Sequence, residues 1–248
     1  MTRWQDFYDV DLRVLTAPPS DFVKFAAEWF TSVGAKTILD LGCGIGRDTC
    51  LLAASEFEVV GCDMAMSGLT HAQRIANEKH LPIVFQQADA RDLPFSDAQF
   101  DAVYCFGMLH EFTGENYQAD IRTIMSEIQR VLAPQGLLAL AMLSGDPQAG
   151  LPHVRLFTAE DLDKAVHGFT PLFQREHNDI GCTGIRPYRM WQGIYQRDIR
   201  AFSPSIELNL IQTPVSPGES GENIRTTGQK FHEKYARAMQ RLAGGVEK

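Results

Sequence analysis

The 248-residue sequence lacks any apolar run long enough to cross a bilayer and any dense run of Lys or Arg. Acidic residues outnumber basic ones by 31 to 23, giving a formal net charge of −8. Nucleic-acid backbones are bound mainly through Lys and Arg, so this balance argues against such a partner. The start of the chain is charged and has no stretch like a secretory signal. We therefore expect a cytoplasmic protein that binds neither membrane nor nucleic acid.

Cysteine is also scarce, with five residues, an odd number. The cysteines lie within or beside predicted core elements, which is typical of reduced thiols rather than of a disulfide framework. Neither their spacing nor a neighbouring histidine pattern matches a metal site, and we predict none. Hydrophobic residues make up 44% of the chain, enough for a sizeable core.

Helix-like and strand-like segments alternate between Ser20 and residue 143. Helices are predicted to begin at Ser20, which can act as a cap, at Arg47, at Ser67 as a second cap, and near Tyr117. Strands are predicted over residues 37–41, 58–63, 83–89, 100–106 and 137–143, with a turn over 133–136. This alternation implies right-handed crossovers and a mostly parallel sheet covered on both faces.

The pattern changes after Thr158. A short helix is predicted over residues 158–167, with a capping box formed by Thr158 and Asp161. Strand-like runs over 171–180 and 188–196 follow without a helix between them, which predicts a hairpin at one edge of the sheet. We assign residues 1–200 to one domain, with residues 1–35 as N-terminal strap and helix. Residues 201–248 form a C-terminal extension whose terminal helix packs on its own domain or serves as a dimer contact or lid.

The most informative segment covers residues 38–48, where a strand enters a turn with glycine at 42, 44 and 46 and a helix follows. Glycine lets backbone N–H groups approach a ligand, and the helix N-terminus offers unpaired donors. The spacing differs from the Gly-x-Gly-x-x-Gly fingerprint of nicotinamide enzymes. Asp40 precedes the turn, where a carboxylate would repel a pyrophosphate but suit an ammonium group.

Two more acidic residues end the next two predicted strands. Asp63 can accept both hydroxyls of a ribose, and Asp89 lies where an adenine amino group would lie. S-adenosyl-L-methionine (SAM) carries an ammonium group, a ribose and an adenine but no phosphate. Its need for hydrogen-bond acceptors fits Asp40, Asp63 and Asp89.

Residues 36 to about 196 resemble the class I SAM-dependent methyltransferases. The resemblance rests on the Gly-Cys-Gly-Ile-Gly-Arg-Asp run at 42–48, on residues 93–101 and 131–137, and on the hairpin. These segments are similar to the small-molecule branches, including tellurite-resistance and thiopurine-like methyltransferases. The resemblance implies a Rossmann-like three-layer α/β sandwich with a mostly parallel seven-stranded sheet whose last strand is antiparallel.

The resemblance also implies a cofactor site beyond the carboxyl ends of the strands. The predicted cofactor-binding residues are Asp40, Gly42, Cys43, Gly44, Gly46, Asp63, Met64, Asp89, Ala90, Cys105, Phe106 and Arg13. Alternatives stay open for several of them: Asp63 as a turn carboxylate, Met64 as ordinary packing, and Cys43 and Cys105 as small buried residues.

The residues that follow the fourth strand are candidates for catalysis. Methyl transfer from a sulfonium mainly needs alignment of the reacting atoms, and a base is needed only for a protonated nucleophile. His110 and Glu111 are the predicted catalytic residues, with His110 as base or acceptor ligand. Alternatively, His110 packs at the start of the next helix and orients Glu111.

Two further groups could contribute to the site. The N-terminal residues Trp4, Phe7 and Tyr8 could fold over the cofactor, with Arg13 holding its carboxylate, or form an apolar strap. The acceptor pocket could be lined by His153, Arg155, His177 and Arg186, although each alone is more typical of a surface or turn.

Together these observations predict an enzyme that transfers a methyl group from SAM to an O, N or S nucleophile of a small-molecule acceptor by in-line displacement. The product is S-adenosyl-L-homocysteine (SAH), and the chain acts as a monomer or homodimer. The alternative is a catalytically inactive SAM-binding regulatory or scaffold protein.

A nicotinamide reductase is disfavoured by the glycine spacing and by Asp40. Tyr104 to Gly107 replace the Asn-Pro-Pro-Tyr of amino-methylating DNA enzymes, which further disfavours nucleic acid.

Overall fold

A computed structural model describes residues 17–147, 154–179 and 187–198 of the chain. Several sequence-based expectations therefore lie outside the described residues: the strap with Trp4, Phe7, Tyr8 and Arg13, the pocket candidates His153 and Arg186, and the C-terminal extension with its helix.

The described residues form five α-helices and seven strands. The helices are α1 (Asp21–Ser32), α2 (Arg47–Ala54), α3 (Met66–Glu78), α4 (Tyr117–Val131) and α5 (Ala159–Ala165), with a 3-10 turn at Leu109–Glu111. The strands are β1 (Thr37–Leu41), β2 (Glu58–Asp63), β3 (Val84–Gln87), β4 (Phe100–Phe106), β5 (Leu132–Leu143), β6 (Phe169–Asp179) and β7 (Tyr188–Arg197).

All seven strands join one sheet in the order β3-β2-β1-β4-β5-β7-β6. The pairs among β1 to β5 are parallel, while β7 runs antiparallel to both β5 and β6. The predicted seven-stranded, mostly parallel sheet with its last strand antiparallel is confirmed. The chain leaves β1 for β2 on one side and returns to β4 on the other, so a topological switch point lies between β1 and β4. Open α/β sheets bind ligands beyond the carboxyl ends of the strands at such a point.

Two apolar cores cover the two faces of the sheet and make it the middle layer of a sandwich. One core contains the buried residues of α1 and α2 with Ala76 of α3, packed on Tyr104 and Phe106 of β4. The other contains the buried faces of α4 and α5, packed on Val103 and Cys105 of β4. Since side chains alternate along a strand, successive residues at the end of β4 serve opposite layers.

Local details confirm some sequence predictions and correct others. The Ser20 side chain accepts a hydrogen bond from the Val23 N–H and caps α1, and Thr158 and Asp161 form the predicted capping box. The prediction of Ser67 as a cap is wrong, because α3 begins at Met66 and its N-cap is Ala65. The predicted turn at 133–136 lies inside β5 as a bulge, between the pairs Phe100–Leu132 and Ala102–Leu137.

Within the described ranges, no helix is long and apolar enough to cross a membrane. The same residues contain no group of three or more His, Cys, Asp or Glu side chains arranged to hold a metal ion.

Candidate functional site

The glycine turn joins the end of β1 to the start of α2 and lies at the switch point. Gly42, Gly44 and Gly46 all have positive φ, at 77°, 54° and 74°. A Cβ added at Gly42 would lie 2.7 Å from the Cβ and Cγ of Met108, so the segment after β4 packs directly on the turn. Position 42 therefore needs glycine both for its backbone conformation and for this close approach.

The N–H groups of the turn are engaged by the protein itself. Gly42 and Cys43 donate to the Cys62 carbonyl oxygen at 2.8 and 3.0 Å, and Gly46 donates to the Cys43 carbonyl oxygen at 2.9 Å. Gly44 donates to Asp63 Oδ2 at 2.8 Å. Each of these four N–H groups has an acceptor within the fold, and a contact between the turn and a ligand stays a prediction. A turn used in this way offers little to a pyrophosphate.

Asp40 lies beneath the turn and is only 2% exposed. Its Oδ2 accepts a hydrogen bond from the Thr49 hydroxyl at 2.5 Å. Burial raises the pKa of the Asp40 carboxyl to about 8; the neighbouring Asp48 and Asp63 also raise it, while the Thr49 hydrogen bond and Arg47 lower it. A cation bound at Asp40 would favour the ionised carboxylate, so an ammonium group suits this position.

A small cleft opens between the turn and the end of β4. Its volume of about 40 Å³ accommodates a charged head group rather than a whole nucleoside. It is lined by Asp40, Gly42, Cys43, Gly44, Ile45, Arg47, Asp48, Tyr104 and Phe106. The predicted residues Asp40, Cys43 and Phe106 and the first two glycines thus meet at one place.

A larger cavity, about 630 Å³, lies at the opposite edge of the sheet. Phe57, Glu58 and Lys79 are among its lining residues, and Glu58 is the first residue of β2. Because ligands of open α/β sheets bind at the carboxyl edge, the smaller cleft is the candidate site.

Ser20, Asp48 and Tyr104 form a buried network at the cleft that the sequence did not reveal, and the last two line the cleft. Asp48 Oδ2 accepts hydrogen bonds from the Tyr104 and Ser20 hydroxyls, both at 2.8 Å, and Asp48 Oδ1 accepts one from the Ser20 N–H at 2.8 Å. The two hydroxyls are 2.9 Å apart. Burial, with Asp48 nearby, raises the pKa of Tyr104 well above its usual range. The network ties α1, α2 and β4 together around the cleft.

Asp63, at the end of β2, accepts a hydrogen bond from the glycine turn. Its Oδ1 accepts a hydrogen bond from the Ala65 N–H at 2.8 Å, in addition to the bond from Gly44. Burial raises the pKa of this carboxyl, and the backbone hydrogen bonds lower it. Asp63 therefore acts as a turn carboxylate, which was the alternative interpretation. Its role as a ribose ligand stays a prediction, and each of its two oxygens has a further lone pair that could accept a ribose hydroxyl.

The other residues predicted near the adenine lie at the same edge. Met64 follows Asp63 and is 36% exposed, with its carbonyl oxygen bonded by Gln87 Nε2 at 2.9 Å. Asp89 is held by Arg91, whose Nη2 is 2.6 Å from Asp89 Oδ2, and these hydrogen bonds hold the pKa of Asp89 below its usual range. Ala90 is partly buried against the core.

The cysteines that the structure describes are all free thiols: Cys43, Cys50, Cys62 and Cys105. Burial raises the pKa of Cys50 and of Cys62 to about 12, and it raises those of Cys43 and Cys105 as well. Cys105 is fully buried on the α4 side of the sheet, whereas Phe106 lines the cleft. Of these two residues, only Phe106 therefore brings its side chain to the cleft.

His110 and Glu111 lie in the 3-10 turn after β4, just beyond Met108. His110 is 1% exposed, and its Nε2 is 3.7 Å from Glu111 Oε1. The His110 carbonyl oxygen accepts a hydrogen bond from the Arg155 N–H at 2.7 Å. His110 is therefore buried beside Glu111, as the alternative interpretation expected, and the catalytic role of both residues stays a prediction.

The two remaining pocket candidates that the structure describes lie apart. Arg155 packs on Tyr117, with its guanidinium carbon 3.6 Å from the ring centroid. His177 is exposed on the edge strand β6, which three strands separate from β1. The structure therefore brings Arg155, and not His177, to the segment after β4.

Comparisons with known proteins match this part of the chain to methyltransferases. Residues 38–136 match the family model of a methyltransferase domain. O-methyltransferase rstn1 of Aspergillus nomiae is 36% identical over 129 residues, which cover 51% of this chain and 54% of that protein. The demethylmenaquinone methyltransferase of Thermus thermophilus is 40% identical over 116 residues, covering 46% of this chain and 50% of that protein. The chain thus spans about half the length of the curated relatives it matches.

A solved structure shows the same fold. Magnesium protoporphyrin IX methyltransferase of Synechocystis, crystallised with SAH, aligns with a TM-score of 0.55 and 21% identity, covering 71% of this chain and 82% of that chain. The methyltransferase-domain resemblance is confirmed for residues 38–136. The resemblance to tellurite-resistance and thiopurine-like enzymes is not confirmed.

Proposed function

We propose that the chain is a class I SAM-dependent methyltransferase that methylates a small-molecule acceptor and releases SAH. The observation that carries this proposal is the buried Asp40 carboxylate in a cleft beneath a glycine turn whose N–H groups are already bonded. Such a site suits an ammonium group and not a phosphate. The matched methyltransferase-domain model and the names of the relatives support the same activity.

The residues present fit the methionine end of SAM. Asp40 supplies a buried carboxylate, and Met108 packs so closely on Gly42 that only glycine fits at this point of the turn. We assign Asp40, Cys43 and the three turn glycines to the methionine part, with Phe106 as a wall of the cleft. Asp63 holds the ribose, and Met64, Asp89, Ala90 and Cys105 surround the adenine. Arg13 remains a proposed partner of the cofactor carboxylate.

When bound, SAM supplies an electrophilic methyl group on a sulfonium. The protein contributes chiefly by positioning, because alignment of the nucleophile with the methyl–sulfur axis provides most of the rate in such a displacement. Met108, which directly precedes the 3-10 turn, packs on Gly42. The 3-10 turn therefore forms one wall of the acceptor side of the site. His110 and Glu111 hold the proton that an O, N or S nucleophile releases, and Glu111 is the more exposed of the pair.

We place this activity in the domain formed by residues 1–200 and in a small-molecule branch similar to the tellurite-resistance and thiopurine-like enzymes. The relatives' names indicate small-molecule methylation, and the excess of acidic residues disfavours nucleic acid.

A methyl-transfer screen tests the proposal. The purified chain is incubated with methyl-labelled SAM and separate panels of small phenols, amines and thiols, and labelled product and SAH are both measured. We expect stoichiometric product and SAH with at least one panel. SAH binding without any product would instead support the inactive SAM-binding alternative.

Glu111→Gln separates catalysis from cofactor binding in the same assay. Because the amide cannot take a proton from the acceptor, turnover should fall about 10²–10⁴-fold, while the affinity for SAH stays within about twofold. Unchanged turnover with every acceptor would remove Glu111 from the catalytic pair.

A further inference from the structure

Arg155 is held in a fixed orientation beside the catalytic candidates. Its backbone N–H donates to the His110 carbonyl oxygen at 2.7 Å, and its guanidinium carbon lies 3.6 Å from the centre of the Tyr117 ring. A cation at this distance is stacked on the ring face, which leaves the donors at the edge of the guanidinium plane for another partner. Tyr117 is itself held by a hydrogen bond from Gln118 Nε2 to its hydroxyl oxygen at 2.9 Å.

The described residues supply Arg155 with no anionic partner. Its Nε is buried and makes no hydrogen bond. Asp89 and Asp120 both form ion pairs with Arg91, and Glu111 Oε1 lies 3.7 Å from His110 Nε2, a contact that is ionic only when His110 is protonated. A buried guanidinium N–H without an acceptor is costly, so a ligand that provides one gains affinity.

The position of Arg155 distinguishes the acceptor from the cofactor. Arg155 contacts the 3-10 turn after β4, whereas the cleft at the glycine turn is lined by Arg47 and not by Arg155. An anion bound by Arg155 therefore lies on the acceptor side, next to His110 and Glu111.

We propose that Arg155 binds a carboxylate of the methyl acceptor, which makes the substrate an acidic small molecule; this rests on the proposed function. A planar carboxylate matches the guanidinium edge with two parallel hydrogen bonds, and the Tyr117 ring fixes the plane in which they form. Binding loses little further side-chain freedom, because the guanidinium is already oriented.

Acid–amide pairs of probes test the proposal. The complex of the protein with SAH is titrated with benzoate, salicylate and 3-phenylpropionate and with the three corresponding carboxamides. We expect at least one acid to bind about tenfold or more tightly than its amide, because only the acid forms charge-assisted hydrogen bonds. Arg155→Gln should abolish this preference and leave the affinity for SAH within about twofold of wild type.

Arg175→Gln is the matched control. Arg175 also stacks on aromatic rings, those of Phe25 and Phe173, but it bonds Gln192 on the β6–β7 hairpin away from the site. This variant should keep the preference for acids. Equal binding of acids and amides by wild type, no acid binding, or a preference that survives Arg155→Gln would overturn the assignment. A wild-type protein that fails to bind SAH would overturn the proposed function itself, a result separable from the other three.

Discussion

Gly42 shows how a single residue can be constrained twice. Its φ of 77° is one that L side chains rarely adopt, and Met108 occupies the space where a Cβ would go. Gly34 has a similar φ of 72° but nothing within 4 Å of the corresponding Cβ position. The pair therefore separates the cost of the backbone conformation from the cost of contact.

We predict that Gly34→Ala lowers the free energy of unfolding by about 1–2 kcal/mol, the cost of a left-handed backbone. Gly42→Ala should lower it by a further 1–3 kcal/mol or so, because Met108 must shift. Only Gly42→Ala should weaken SAH binding, about tenfold or more. Urea denaturation and calorimetric titration measure the two effects. Equal behaviour of the variants in both measurements would contradict the account.

Asp40 predicts a proton change on cofactor binding. Burial raises the pKa of its carboxyl to about 8, so near pH 7 the ligand-free protein holds this proton. An ammonium group bound at Asp40 favours the charged form, and binding should release up to one proton. Titrations with SAH near pH 7 in phosphate and in Tris should then give different enthalpies, and Asp40→Asn should remove the difference. Identical wild-type enthalpies in both buffers would place the ammonium elsewhere.

The same carboxyl affects stability with a defined sign. Because its folded-state pKa lies above the unfolded value of 3.8, the folded chain holds a proton that the unfolded chain has lost between roughly pH 4 and pH 8. The ligand-free protein should therefore lose stability as pH rises through this window. Melting temperatures of wild type and Asp40→Asn should converge at the acidic end and diverge near pH 8, with the variant the more stable there. If the melting temperature of wild type fell with rising pH no more steeply than that of Asp40→Asn, the result would contradict this assignment.

Among the elements, α1, α2 and β4 depend on the Ser20–Asp48–Tyr104 network. The sequence predicted the helix, its Ser20 cap and the strand from local patterns. It did not predict the network, because its hydrogen bonds join residues 28 and 56 positions apart. The only local sign of this region was the two-residue spacing of Tyr104 and Phe106, which places both side chains on the same face of β4 and in the lining of the cleft.

We predict that Tyr104→Phe lowers the free energy of unfolding by about 1.5–3 kcal/mol, since it removes a buried hydrogen bond to a carboxylate. Tyr195→Phe is the matched control: Tyr195 is equally buried, but its hydroxyl lies 3.3 Å from the neutral Gln174 Oε1. Its loss should cost about 1 kcal/mol or less. If denaturation curves showed that both variants lose the same free energy of unfolding, the result would contradict a special role for the network.

Over the whole molecule, the mostly parallel sheet followed from the alternation of predicted strands and helices, and its seven strands with an antiparallel last strand followed from the family resemblance. The hairpin and the glycine turn were predictable from strand and turn residues, whereas the order of the strands was not predicted. The hydrogen bonds of the turn N–H groups were not predictable from the sequence, because they depend on how β2 packs beside β1. Asp63 stays a predicted ribose ligand, while its hydrogen bonds from Gly44 and Ala65 show a structural role that sequence position alone could not separate from a ligand role.

The central claim is that the chain binds SAM and SAH with the methionine part in the cleft at the glycine turn and Asp40, and with the ribose on Asp63. The most direct test is calorimetric titration of the purified chain with each compound, alongside Asp63→Ala. We predict that wild type binds both with dissociation constants near or below about 1 μM, and that the variant binds at least tenfold more weakly. Absence of binding to both, in protein shown by mass spectrometry to carry no copurified cofactor, would contradict the account.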